Sequence, residues 1–448
     1  MAYLRQSLWT LSVLVASALA HGGHEAVPEG ESISQDPIDS TLWTHMILMG
    51  LAFGIIFPTG MVLGIIRSRW HVPVQVVGTV IAVLAYFLGH AHKGRQFDKN
   101  VHASVANWLM LLLVAQVVLG FYLKLHLEKA GQARIRWIFV LAHGIVGKVM
   151  PVLSWAQMLF GGIASLGFCR DDHLGQCLAH FIMGSAFIGY GICLTILLLV
   201  GQYWLRRTGR SQEFFDSLII AAWGCHTTMG IIWWCAGLLG MWLSRTRSGR
   251  PKRNLIPAIV ILITGYAMSA HPQSLMISTM IHSIFGYTLM AAGLTRIIEI
   301  SFVLKDKPAL SEPNSFQYLT PFLLYASGFL FMGATEEQML LLHNAGVTHV
   351  SYVLILYSIA FIVFLFVNIL LHIYAVHAWP NSESTNQDGP MYSTLNGNAN
   401  GRARSNSQQI QDAEAFELHG LISDDEEGPS MGPRKNSDEE LGKEETRH

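Results

Sequence analysis

Four histidines raise the first chemical question: His45, His71, His102 and His143. Each lies at or near the start of one of four consecutive apolar runs, where an ionisable ring is costly and usually tied to function. Any one alone reads as an interhelical hydrogen-bonder; the pattern across four runs says more. Successive membrane-crossing runs are antiparallel, so the first and third start in one leaflet and the second and fourth in the other. His45 is therefore an expected neighbour of His102, and His71 of His143. Two imidazole pairs at two depths in a four-helix bundle are what bis-histidine ligation of two b-type haems requires, because haem iron takes imidazole nitrogen at both axial positions. Gly50, Gly54 and Gly147 would leave room for a flat macrocycle, or simply let helices pack closely. His90 and His92, in Gly89-His-Ala-His-Lys93, are either substitute ligands for His45, ligands of another metal, or ordinary helix-end histidines.

A second constellation comprises His180, His226 (in His226-Thr-Thr-Met-Gly), Glu336, His343 and His349. Glu336 and His343 are seven residues apart, hence on one helix face, and His349 begins the next run. A carboxylate with several imidazoles inside helices suits Zn²⁺, copper or iron, or a proton relay. The competing reading is a solvated helix-end turn. His180-Phe-Ile-Met-Gly echoes His45-Met-Ile-Leu-Met-Gly, and His282-Ser-Ile-Phe-Gly echoes His143-Gly-Ile-Val-Gly. No histidine answers to His102 in that half, so a second full set of haem ligands does not follow. Cys169 and Cys177 bracket a short loop expected on the oxidising side, where a disulfide is the natural state. Cys193, Cys225 and Cys235 lie within apolar runs and read as packing residues.

The elements that must position these groups are membrane helices. Of 448 residues 51% are hydrophobic and 13% charged, with mean hydropathy +0.38. A soluble protein carries about 25% charged residues. That deficit excludes a large water-soluble enzyme, and the lack of surplus Lys and Arg argues against nucleic-acid binding. Apolar runs near 42–66, 72–92, 102–125, 137–166, 178–204, 226–243, 255–271, 275–303, 318–342 and 349–376 are expected to cross a bilayer as helices. The fold class is all-α: a polytopic helical membrane protein of ten to eleven transmembrane helices in two bundles, with membrane lipid as its surroundings. Residues 1–20 read as a signal peptide and 21–41 as a lumenal spacer. The tail, 380–448, reads as disordered. From 381 onward acids outnumber bases 14 to 6, leaving 23 basic against 16 acidic residues in the rest.

Basic loops stay cytoplasmic. Arg67 and Arg69, then Lys124, Lys129, Arg134 and Arg136, then Arg206, Arg207 and Arg210 place the first run's start in the lumen. The loop from Lys93 to Lys99 disagrees mildly. The most basic loop, Arg245 to Arg253, would be lumenal if ten helices alternated strictly. An extra crossing or re-entrant turn within 213–243 returns it, and the acidic tail, to the cytoplasm.

The segments His45-Met-Ile-Leu-Met-Gly, Trp70-His71-Val, His102 to Gln116 and His143-Gly-Ile-Val-Gly resemble the four core helices of cytochrome b561 proteins, over residues 42–166. The whole chain resembles the fungal Ytp-type multi-pass membrane proteins, whose characteristic second half corresponds to 167–379. It departs from them at Cys225-His226, where that family carries a longer connector. The b561 resemblance implies that His45, His71, His102 and His143 are axial ligands of two haem b groups. It also implies electron transfer across a membrane, of the ascorbate- or ferric-linked kind, with a donor and an acceptor that the sequence does not specify. The alternative function is a haem-free transporter or metal-handling protein whose second-half His and Glu residues hold an ion. A transmembrane oxidoreductase is the enzymatic reading, in the plasma membrane or an endomembrane of the secretory pathway.

Overall fold

The computed structural model describes residues 27, 30–125, 133–224, 228–270, 273–305 and 313–378. The expected signal peptide, the acidic tail and His226 lie outside them. Among the described residues every regular element is a helix, accompanied only by isolated bridges at Ile33–Phe97 and Arg245–Pro251. The chain is an all-α polytopic membrane protein.

Four long helices make the first half: α1 (Ser40–Ile65), α2 (His71–Ala91), α3 (Val101–Leu125) and α4 (Ala133–Leu166). Asp39 starts α1. One carboxylate oxygen accepts the Leu42 N–H at 2.9 Å, and the other accepts the Lys93 N–H at 3.2 Å, tying the spacer to the end of α2. The Leu42 bond holds the Asp39 carboxyl below its usual range, with burial opposing and the Lys93 bond assisting. A carboxylate depressed by folding stabilises above its unfolded pKa, so this cap weakens as pH falls through the folded value. Halfway along, α1 widens into a π turn at Ala52–Ile56. Pro58 follows; its ring has no N–H and would crowd the Gly54 carbonyl, and a wider turn relieves that. The small core of this half gathers Phe53, Phe57, Leu109, Leu113 and Met150.

The second half contains α5 (Leu174–Leu199), α6 (Gln212–Trp223), α7 (Thr228–Leu243), α8 (Ile256–Ser269), α9 (Met276–Ile298), α10 (Leu319–Met332), α11 (Glu336–Asn344) and α12 (His349–Ala378). Its core is denser, built around Ile281, Phe285, Leu289, Tyr325 and Leu330. Small residues bring the backbones together, as they do in membrane bundles. A Cβ on Gly184 of α5 would sit 2.6 Å from the Gly328 carbonyl oxygen of α10, and one on Gly265 of α8 would sit 2.7 Å from that of Gly286 in α9.

One stretch breaks where an extra crossing or re-entrant turn was expected, and another differs from the hydropathy reading. The stretch 213–243 is a hairpin of two short helices: Cβ positions on Gly237 and Gly240 fall against Ala221 and Ser217, so α6 and α7 run antiparallel in backbone contact. With 12 and 16 residues, they reach about 18 and 24 Å, and a bilayer core needs about 30 Å. The run 318–342 is not one helix. It breaks after Met332 and turns by 74°, because Thr335 and Gln338 form a capping box that starts α11 afresh. Seven helices among the described residues are long and apolar enough to cross a membrane, and the bent α10–α11 pair makes an eighth. The shorter α6, α7 and α8 account for the rest of the apolar runs.

Loops cluster at two ends. At one, Arg95 donates to the Ser165 carbonyl (3.2 Å), Arg170 pairs with Asp98 (3.7 Å), and Ser34 N–H donates to the Gln96 carbonyl (2.9 Å). Both Glu337 oxygens accept the Cys169 N–H there, at 3.0 and 3.1 Å. At the other end, Arg253 donates to the Leu304 carbonyl (2.6 Å).

Candidate functional site

The first-half histidines meet in two pairs. The ring centres of His45 and His102 are 6.4 Å apart with planes at 81°, and those of His71 and His143 are 6.3 Å apart at 89°. The pairs lie at opposite ends of α1–α4. Helix backbones set the rings. His45 Nδ1 lies 2.7 Å from the Ala85 carbonyl oxygen of α2, and His71 Nδ1 lies 2.7 Å from the Gly60 carbonyl of α1. A carbonyl only accepts, so Nδ1 carries the proton in both rings and the Nε2 lone pair is free to bind a metal. His102 Nδ1 faces the Gln157 carbonyl at 3.2 Å and its side-chain amide at 2.9 Å. That residue therefore accommodates either tautomer. His143 is held through its carbonyl by the Gln116 amide (2.9 Å), and its Nδ1 is buried without a partner among the described residues.

Each ring also rests on a glycine, where the missing side chain makes space: His45 on Gly89, His71 on Gly64, His102 on Gly161 and His143 on Gly120. A Cβ on Gly89 would lie 2.6 Å from His45 Nδ1, and one on Gly64 would lie 2.7 Å from His71 Nδ1. By contrast, a Cβ on Gly50 or Gly54 would meet nothing within 4 Å, which leaves open space beside α1. On Gly147 it would meet only the Gln116 amide, at 3.0 Å.

These residues fit a bis-histidine haem. A metal–imidazole bond is about 2 Å and the ring centre lies about 1.1 Å behind its nitrogen, so an iron shared by two rings separates their centres by about 6.2 Å. Both ring separations, 6.4 and 6.3 Å, are within a few tenths of an ångström of that. His90 is held differently: its Nδ1 bonds the Tyr86 carbonyl one turn back (2.9 Å) and its ring lies against Tyr86.

The second-half residues are distributed otherwise. His180 faces His282 of α9, ring centres 5.8 Å apart. Their Nδ1 atoms bond the Gln176 and Ser278 carbonyls at 2.8 and 2.9 Å. Phe331 stacks on His180 at 4.5 Å, and His180 Nε2 is buried without a hydrogen-bond partner among the described residues. Glu336 is exposed, 3.5 Å from His173. His343 is exposed on α11, and His349 opens α12. Among the described residues His180, Glu336, His343 and His349 form no three-ligand cluster. Cys169, Cys177 and Glu337 do converge, but the two sulfurs are joined in a disulfide and Glu337 accepts the Cys169 N–H.

A buried charged group at the other end of this half is not among the sequence-derived candidates. Arg296 of α9 donates to Glu213 of α6 at 3.0 Å and pairs with Glu299 at 2.8 Å. Asp216 takes a hydrogen bond from Tyr190 of α5. All four charged residues are buried. The available signal was a cation and an acid, Arg296 and Glu299, inside an otherwise apolar run.

Comparison with known proteins adds relatives. Residues 153–226 and 225–375 match the family described as Protein YTP1-like, C-terminal, and the junction of the two segments falls at Cys225-His226. Residues 25–126 match a domain of unknown function, DUF2427. The chain is 42% identical to Protein YTP1 of Saccharomyces cerevisiae over 274 residues, covering 56% of this chain and 58% of that protein. It is 21% identical to the uncharacterized membrane protein C3B8.06 of Schizosaccharomyces pombe over 445 residues, covering 66% and 86%. With the uncharacterized membrane protein YCR061W of Saccharomyces cerevisiae it shares 28% over 173 residues, 38% and 23% of the two chains. No solved structure matches it.

Proposed function

Residues 153–375 of this chain match the Ytp1-like family, and we propose that its first half is a cytochrome b561-like dihaem unit carrying electrons across the membrane. One observation carries the reading: two histidine pairs, at opposite ends of one bundle, each spaced for a shared iron. His45 and His102 would hold one haem b, and His71 and His143 the other. A b-type haem supplies reversible one-electron chemistry, and two at different depths would serve both faces. The protein's own part is to fix the ring planes through the Ala85, Gly60 and Gln157 carbonyls and to exclude water with an apolar bundle. The donor and acceptor are partners to be identified from either face. The test is the purified full-length protein from haem-replete cells. It should be red, with a b-type α-band on dithionite reduction; a colourless, haem-free preparation overturns the reading.

The seating of the rings yields a narrower expectation. Gly89→Ala places its methyl group against His45 Nδ1 and should displace that ring alone. Bound haem should fall by up to about half, with the His71–His143 signal unchanged in the reduced spectrum. Full retention of both haems would show that the ring does not need its glycine seat.

The second reading is a haem-free transporter or metal-handling protein, favoured by the unpartnered buried His180 Nε2 opposite His282. Metal analysis of the same preparation separates the two.

We place the disulfide end in the lumen of the secretory pathway or outside the cell, since a disulfide persists there, and the basic end in the cytoplasm. With α6–α7 returning to its side of entry, α10–α11 as one bent span, and the short α8 counted as a crossing because Arg253 before it meets Leu304 after α9 at one end, the described helices make nine crossings and the tail emerges in the cytoplasm. Protease added to the cytoplasmic face should remove the tail. A thiol-reactive mass tag should reach Cys169 and Cys177 only after reduction. A tail protected from cytoplasmic protease contradicts this arrangement.

A further inference from the structure

The second half holds a charge imbalance that its protein contacts do not cancel. Glu213, Asp216 and Glu299 are 2%, 4% and 3% exposed, and the one cation among them is Arg296 at 7%. Three carboxylates around one guanidinium would leave two negative charges in a helix-lined interior, where an unpaired charge is costly and a group takes up a proton instead. The contacts say which one. Glu213 and Glu299 each touch Arg296, at 3.0 and 2.8 Å. Asp216 forms no salt bridge among the described residues: it accepts a hydrogen bond from the Tyr190 hydroxyl and feels the Arg296 charge only at longer range. A cavity of about one water's size lies between α5, α6, α8, α9 and α10, and Asp216, Glu213, Tyr190 and Arg296 line it. Glu213 Oε2, buried on the cavity wall, has no hydrogen-bond partner among the described residues, so the cavity contains an acceptor that those residues leave unanswered.

We propose that this cavity is a proton-binding site in which Asp216 carries an exchangeable proton, taken up from the face where Arg253 and Asn254 precede α8. The step is simple protonation: a proton from that aqueous face adds to the Asp216 carboxylate and leaves by the same bond breaking. Tyr190 comes from α5, Glu213 from α6, Arg296 from α9 with Glu299 just beyond it, and the lining residues of α8 and α10 are Pro257, Ala258, Ile261 and Thr320, none of which titrates. Arg253 is exposed and committed to the Leu304 carbonyl. The site lies outside α1–α4, so it stands or falls independently of the haem reading. Its consequence is that the second half has the chemistry of a proton-coupled carrier.

The test is infrared difference spectroscopy of the full-length protein across the pH range in which it stays folded. The wild type should show a protonated-carboxyl stretch that shifts in D₂O and vanishes as pH rises. Asp216→Asn should lack it, while Glu336→Gln, at an exposed carboxylate, should keep it. Tyr190→Phe removes a hydrogen bond that favours the charged form, so the same stretch should persist to higher pH. That variant decides the matter if Asp216→Asn fails to fold. The proposal is overturned if no exchangeable carboxyl stretch exists at any pH. It is equally overturned if the stretch ignores both substitutions, or if sodium rather than pH removes it, which would mark a cation site.

Discussion

His102→Ala is expected to remove one haem and spare the other, so that haem per protein falls from about two to about one and the reduced α-band loses about half its intensity. His143→Ala should do the same to the other pair, and the double substitution should leave the protein colourless. The expectation follows from separation. His102 faces His45 at one end of the bundle and His143 faces His71 at the other; no ring serves both pairs. The fold should survive, because α3 and α4 are held by Leu109, Leu113 and Met150 away from the histidines, and alanine is the best helix former. His90→Ala should keep both haems, since His90 bonds its own helix at the Tyr86 carbonyl. The measurement is haem content per protein with the reduced spectrum of each variant. A double variant with undiminished haem rules out these four histidines as the ligands.

The first-half pairs and the second-half cluster differ in how far they could be read from sequence. Each of the four histidines sits at or near the start of a run, and antiparallel succession alone turns such positions into neighbours. Nothing beyond order and alternation was needed to pair His45 with His102. Their Nδ1 contacts were not legible, because Ala85, Gly60 and Gln157 contribute backbone carbonyls, which any residue has. The second half resists the same treatment. Glu213 and Arg296 are 83 residues apart and meet only because α6 folds back on α7 along Gly224, Gly237 and Gly240. Loop charge required an extra crossing or re-entrant turn within 213–243 and left open which of the two it is. The break in 318–342 was, however, visible in principle: Thr335 and Gln338 carry the spacing of a capping box, which an apolar average passes over. His180 and His282 were both marked by their repeated phrases, yet pairing them required the packing of α5 and α9 around Phe285 and Phe331. Glu337 was legible as an acid at a helix start but not as the acceptor that fixes the Cys169 turn.

Arg296→Met should be the most damaging single substitution in the second half. Among the described residues the arginine is the only cation in contact with Glu213 and Glu299, and methionine keeps much of its volume while removing the charge and all five donors. Two buried carboxylates then lose their partner. Breaking a buried pair from one side costs about 3–5 kcal/mol, which is a large fraction of a typical folding free energy of about 5–15 kcal/mol. The variant is expected to aggregate on extraction, or to melt well below the wild type in a detergent thermal-shift measurement. Arg296→Lys should lose less, since a single ammonium can still face one carboxylate. The cause is separable from lost packing by a compensating set. Adding Glu213→Gln and Glu299→Gln to Arg296→Met removes the stranded charges and should restore much of the stability, because replacing every member of a buried ionic group is far less costly than removing one. If the triple variant is as unstable as Arg296→Met alone, the arginine acts through its bulk and not through its charge. Recovery in the triple variant, with Asp216 still present, would also show that Asp216 needs no cation of its own, as a carboxyl that carries its own proton does not.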